Sequence, residues 1–421
     1  MGITHNRKLF SNFLSLSIVQ GINFLIPLLI TPYVISKVGV GGIGMIAVAQ
    51  TVMIYLSTIT DYGFNLTATK EISLYKADHS RISKIFFTVL ASKIIIMIFL
   101  FALLVGLILF IPFFKHHFTL YIVGFTFVLG QALFVNWFFL GLEKMHFITI
   151  GSLVSRLIFV VLVFAFIKGK GDDVLFLFFL GIGNIVAALL SIFVAIHLLK
   201  LKFLRPVWAD IIYEIKEGWQ ITLSILSLNT YLFSGIFILR FFTTDLVVGY
   251  YSIAVRIFFA ARQVLAVFSE AVYPHLCKLI LQSKETGNAF FKQIYVPLLI
   301  ATLLSCTALF IFSPEIVYIF IKDGTELPVL LLRMLSFVPV VVCLNIPAYL
   351  LLLVFNRKKS YLKVFILATL INIIANILFV NQLGATGTVL SIIITELFIA
   401  AGLNRELYKS NLNGYISSGM I

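Results

Sequence analysis

The chain has 421 residues, 61% hydrophobic and only 11% charged, against about 45–50% and about 25% in an ordinary soluble domain. A water-soluble core of this size cannot hide so much apolar surface, so soluble enzymes are excluded and the bilayer becomes the solvent for most of the chain. The formal net charge of +14 would suit a nucleic-acid partner, but the positions of the charges exclude one.

In chain order, Arg7 and Lys8 precede a first apolar run, 13–36, that is too long for a signal-peptide core and is read as an uncleaved first span. Further stretches of spanning length follow at 42–61, 85–112, 118–141, 148–167, 174–199, 218–239, 248–274, 293–314, 330–355, 361–380 and 386–403. That predicts twelve transmembrane helices, an all-α polytopic membrane protein with short connections. Prolines 27 and 32 in the first span and 339 and 347 in the tenth predict kinks, because each removes a backbone donor.

Twelve spans put both termini on one side. Of 31 lysines and arginines, 20 lie on that side, 6 lie on the other, and 5 lie in or near spans. The positive-inside rule then places both termini in the cytoplasm. Most of the basic excess is therefore topology. Cys277, Cys306 and Cys343 are isolated in apolar or near-apolar sequence and read as small hydrophobes.

The halves of the chain also rhyme. Gly44-Met45-Ile46-Ala47-Val48-Ala49 opens the second span much as Gly249-Tyr250-Tyr251-Ser252-Ile253-Ala254 opens the eighth. Spans six apart run in the same direction, so the expected architecture is two pseudo-symmetric six-helix lobes, 1–205 and 206–421, with a cavity between them.

Charges inside spans cost several kcal/mol unless they face water or a partner, so they are the candidate site residues. Arg156 lies midway along the fifth span with no acid nearby in sequence. Arg256 and Arg262 share the eighth span, about 120° apart around the helix and about 9 Å along it. Lys93 lies about two turns into the third span, where its stem can snorkel to the interface. Asn372 and Asn376, at i and i+4 on the eleventh span, share one helix face. Gln20, Asn23, Gln50, Gln131, Asn136, Asn184 and Asn229 add amides in other spans, readable as interhelical hydrogen bonds or as the lining of a hydrated lumen. Among the acids, Asp61, Glu270 and Glu396 are the candidates for ion coupling, since a proton carrier needs a carboxylate at membrane depth. Asp61 also suits turn chemistry before Tyr62-Gly63.

An ordered set of short motifs carries a family resemblance. Pro27-Leu28-Leu29-Ile30-Thr31-Pro32-Tyr33, Asp61-Tyr62-Gly63-Phe64, Thr69-Lys70-Glu71-Ile72, Trp137 with Gly141-Leu142-Glu143-Lys144-Met145, Arg156, Gly249-Tyr250-Tyr251-Ser252, Tyr273-Pro274 and Gly384-Ala385-Thr386-Gly387 together resemble Wzx-type O-antigen flippases. Those belong to the multidrug/oligosaccharidyl-lipid/polysaccharide exporter superfamily. The resemblance implies a V-shaped transporter in a bacterial inner membrane. Such a transporter moves undecaprenyl-pyrophosphate-linked oligosaccharide to the periplasmic leaflet by alternating access, without a cofactor, and is coupled to a proton or sodium ion. It also implies membrane lipids, the O-antigen polymerase and the chain-length regulator as partners. Two other readings stand beside it. A multidrug exporter of the same superfamily would lean on acids and aromatics, whereas the intramembrane set here is richer in arginine. An O-antigen polymerase or acyltransferase would call for a large periplasmic loop, and no such loop exceeds about 20 residues, the length of a single span.

Overall fold

The computed structural model describes residues 2–198, 200–355, 357–410, 412 and 415, with side chains left out for residues 2–20 and at positions 24, 198, 270, 271, 274, 275, 278, 281, 282, 284 and 358. No strand occurs among the described residues. Long apolar sequence has no backbone partner in lipid except its own next turn, so helix is the form it takes.

The helices are α1 (Gly2–Asp61), α2 (Phe64–Leu74), α3 (His79–Phe110), α4 (Pro112–His116), α5 (Phe118–Leu133), α6 (Asn136–Gly141), α7 (His146–Phe166), α8 (Asp173–Phe193) and α9 (Trp208–Phe242). They continue with α10 (Asp245–Gln282), α11 (Lys284–Phe290), α12 (Val296–Ile311), α13 (Ser313–Phe320), α14 (Glu326–Leu335), α15 (Val338–Val354), α16 (Lys358–Leu383) and α17 (Ala385–Lys409). Among the described residues, eleven segments are long and apolar enough to cross a membrane, and the first of them, Gly21–Leu74, has 54 residues. At 1.5 Å per residue that is about 80 Å, more than two crossings of a roughly 30 Å hydrocarbon core. Counted as two spans, it brings the total to the expected twelve.

The breaks do not fall where proline alone would put them. Helix α1 runs unbroken through Pro27 and Pro32, and its one non-helical residue is Gly39, at φ 79° and ψ 170°. Proline bends a helix by deleting a donor, whereas a left-handed φ reverses local direction and is open at little cost only to glycine. In the tenth span the chain leaves the helix at Ser336-Phe337 and re-enters with Pro339 in the first turn of α15, leaving Pro347 inside that helix. The fourth span is also divided, at Phe134-Val135 between α5 and α6.

The chain forms two compact units, residues 1–30 with 36–229, and residues 31–35 with 230–421. Helix α9 contributes to both units. Its N-terminal part, to Asn229, is held within unit 1: Lys84 bonds Asp210 at 2.9 Å, Asn229 Nδ2 donates to Thr58 Oγ1 at 2.6 Å, and Gly218 abuts the carbonyl of Tyr62. In unit 1, α8 packs between α5 and α7, and α2 lies on α6. Phe64, Ile72, Phe86, Trp137 and Phe138 form its aromatic-rich core at one end. In unit 2, α17 packs on α16 and α15, and α10 on α14 and α15. The two rhyming segments occupy like surroundings, with Ile46–Ala49 and Tyr251–Ala254 all buried.

Candidate functional site

Unit 1 contains a polar recess at membrane depth with a cavity of about 150 Å³. Small residues create it. A Cβ on Gly130 of α5 would lie 2.5 Å from the Asn184 side chain, and one on Gly183 of α8 would lie 2.4 Å from the Ser155 carbonyl. Glycine therefore lets α5, α7 and α8 close to backbone distance, which brings short polar side chains to one place. The break at Phe134-Val135 opens the remaining wall, and the freed Val135 N–H is answered by Ser191 Oγ at 3.4 Å. Irregular backbone at membrane depth is tolerated where protein or water satisfies it.

Arg156 reaches into this recess from α7, and its Nε donates to Asn23 Oδ1 at 2.9 Å. Gln131, Asn136, Ser152 and Asn184 line it too, and no acid among the described residues does. The Ser155 hydroxyl donates to Asn184 Oδ1 at 2.7 Å, while Asn184 Nδ2 is buried and without a partner among the described residues. A guanidinium held by a neutral amide keeps its charge available, and an amide N–H₂ beside it adds donors of the same sense. The recess is thus arranged for an acceptor-rich or anionic ligand.

Unit 2 carries its charge differently. Glu396 of α17 is 2% exposed, accepts a short hydrogen bond from Tyr231 of α9, and lies 3.4 Å from Arg262 Nη2 of α10. The Arg262 guanidinium also sits 5.2 Å from the centre of the Tyr231 ring, within cation–π range. One turn away, Asn372 donates to Thr395 Oγ1 at 3.0 Å and accepts from Ser234 at 3.3 Å. A recess in unit 2, lined by Ala261, Leu265, Cys306 and Pro339 among others, holds about 190 Å³ and presents mostly apolar surface.

The remaining sequence candidates scatter. Lys93 does not snorkel: its side chain is 0% exposed and its Nζ lies 2.6 Å from Asp61, so the expected turn residue is an ion-pair partner instead. Burial makes the pairing necessary, because an ammonium removed from water needs a counter-charge. Arg256 donates to Thr31 Oγ1 at 3.4 Å within unit 2. Asn372 and Asn376 share a face as expected, but that face is buried, at 2% and 1% exposure, against α17 and α9 rather than open to a recess. The Glu270 side chain lies outside the described residues. Tyr231 and Ser155 were not read from the sequence. A tyrosine or serine inside an apolar helix looks like packing, and only Gly183 beside Asn184 hinted at a close crossing.

Fold and site together define a multi-pass α-helical membrane protein with a part-buried cationic recess. The family model described as "Polysaccharide biosynthesis protein" matches residues 9–280, and the chain belongs to that family. It is 25% identical over 399 residues, 94% of this chain and 96% of the other, to an Escherichia coli (strain K12) protein called "Putative O-antigen transporter". In fold it is similar to an inward-facing multidrug resistance MATE family transporter of the MOP superfamily, at TM-score 0.73 and 15% identity, covering 96% of this chain and 99% of that one. It is also similar to the lipid II flippase MurJ in an inward closed conformation, at TM-score 0.71 and 14% identity, covering 97% and 89%.

Proposed function

We propose that this protein is a flippase for undecaprenyl-pyrophosphate-linked oligosaccharide repeat units. In this reading it carries them from the cytoplasmic to the periplasmic leaflet of a bacterial inner membrane by alternating access. One observation carries the proposal: Arg156 stands in an amide-lined recess inside a helical bundle, and its hydrogen-bond partner among the described residues is a neutral amide, Asn23. A cationic recess of that kind favours a concentrated anion with a hydroxyl-rich neighbour, which is the chemistry of a sugar pyrophosphate. It disfavours the cations that a drug exporter handles. The relative named as an O-antigen transporter, similar over nearly its whole length, supports the same cargo class.

Within unit 2, Arg256 and Arg262 are further candidate contacts for an anionic ligand, and both termini face the cytoplasm. Glu396 and Asp61, each engaged by a basic residue, are the groups through which a proton or sodium gradient drives the cycle. A strain lacking the gene should lose polymerised O-antigen and accumulate lipid-linked repeat units on the cytoplasmic leaflet. Accumulation of single units on the periplasmic side would instead assign the protein to polymerisation and reject the flippase reading.

A further inference from the structure

Arg262 is the one intramembrane arginine of the candidate set that the described structure shows paired with a buried acid, and the pairing is incomplete. A guanidinium has five N–H donors in a planar fork, and its best carboxylate geometry is bidentate at about 2.7–2.9 Å. Here a single nitrogen, Nη2, meets a single oxygen of Glu396 at 3.4 Å. The buried Nη1 has no partner among the described residues. The arginine side chain is 20% exposed while the glutamate is 2% exposed, so the arginine is the more accessible member of the pair. Tyr231 holds the assembly from below, with its hydroxyl on Glu396 and its ring under Arg262.

We propose that Glu396 is a built-in substitute for the cargo's phosphate. It occupies Arg262 in the empty protein and is displaced when a pyrophosphate headgroup arrives. A phosphate offers several acceptor oxygens to the unused edge of the fork, where the carboxylate offers one. Neither charge can be left alone at this depth, since opening a buried pair without replacement is strongly unfavourable. The exchange therefore has two halves. The phosphate takes the guanidinium, and the released Glu396 carboxylate takes one proton to become the neutral acid, still bonded to the Tyr231 hydroxyl. Among the described residues, the titratable groups facing this pair are Tyr231 from α9 and Tyr361 from α16, and neither is a second acid. Cargo binding and proton uptake become one event at one residue. The inference rests on the flippase reading for the identity of the cargo, but the exchange itself can be tested without it.

The test is calorimetric binding of farnesyl pyrophosphate, with inorganic pyrophosphate and farnesol as comparison ligands, to the full-length protein in nanodiscs. Titrations in two buffers of different ionisation enthalpy report protons taken up. The wild type should bind farnesyl pyrophosphate with uptake of about one proton and more weakly as pH rises. Glu396→Gln, whose amide competes poorly for a guanidinium, should bind about tenfold tighter or more, with no proton uptake and a flat pH profile. Tyr231→Phe should fall between them, and Arg262→Ala should bind at least tenfold more weakly than the wild type. The proposal is overturned if Glu396→Gln binds no tighter than the wild type while keeping its unfolding temperature. It is equally overturned if proton uptake persists in Glu396→Gln, or if farnesol binds as well as its pyrophosphate. Equal competition by phosphatidylglycerol would assign the site to bulk lipid headgroups and also reject cargo exchange. Should Glu396→Gln not fold, Tyr231→Phe decides: unchanged affinity and proton count reject the exchange. The flippase reading fails on a different result, normal O-antigen in the deletion strain, so the two failures are distinguishable.

Discussion

Unit 1 and unit 2 each bring an arginine to membrane depth, and they satisfy it in opposite ways. In unit 1 the bond that the geometry shows for Arg156 is to a neutral amide, in a recess walled by other amides and hydroxyls. In unit 2 Arg262 leans on a carboxylate that is almost wholly buried, over a tyrosine that serves both. The first arrangement leaves a positive charge on offer and depends on it little for folding. The second spends most of its charge on internal neutrality, so that stability and function are tied to the same three side chains. An arginine in a membrane span is therefore not one kind of feature, and its partner decides which kind it is.

The contrast sets the order of expected effects on stability. Arg262→Ala should be the most damaging, at about 3–5 kcal/mol, because it leaves Glu396 buried and uncompensated. Adding Glu396→Gln to it should restore most of the loss in a thermal unfolding series. If the double variant is no better than the single one, the pair is not what Arg262 holds together. Gly183→Ala should cost about 1–3 kcal/mol by forcing α7 away from α8 against the Ser155 carbonyl. It should also reduce cargo binding in unit 1, although the substituted atom touches no ligand.

Lys93→Met should cost less, about 1–2 kcal/mol, for a reason visible in the partner. Asp61 is 28% exposed and can be hydrated when its lysine is gone, unlike Glu396. Smallest of all, Arg156→Ala should shift stability by about 1 kcal/mol or less, the worth of one hydrogen bond. Its effect belongs to transport: surface O-antigen at low expression should fall several-fold, and Arg156→Lys should recover part of it. A large loss of stability in Arg156→Ala would erase the distinction between the two units.

Span number and the repeat were legible in the sequence because they depend on local hydropathy and spacing. The break at Gly39 was less so, because the nearby prolines 27 and 32 compete for the same explanation. The sites were legible only as parts. Arg156 and Asn23 both stand out as polar residues in apolar runs, but they are 133 positions apart and nothing local says that they meet. Tyr231 and Glu396 are 165 apart, and a tyrosine in an apolar helix carries no mark of its partner. Lys93 misled in an instructive way. Its depth suggested snorkelling because a long stem can often reach the water interface, and only the fold, by bringing Asp61 at the end of α1 to Lys93, supplies a nearer solution.

The most direct test is translocation in reconstituted vesicles that carry a labelled, pyrophosphate-linked oligosaccharide, scored by how much label an external, membrane-impermeant reagent can reach over time. The wild type should redistribute the lipid between leaflets well above the rate of empty vesicles. Arg156→Ala, equally folded and equally inserted, should not. Redistribution no faster than in empty vesicles, or an Arg156→Ala variant as fast as the wild type, would contradict a flippase built on that cationic recess.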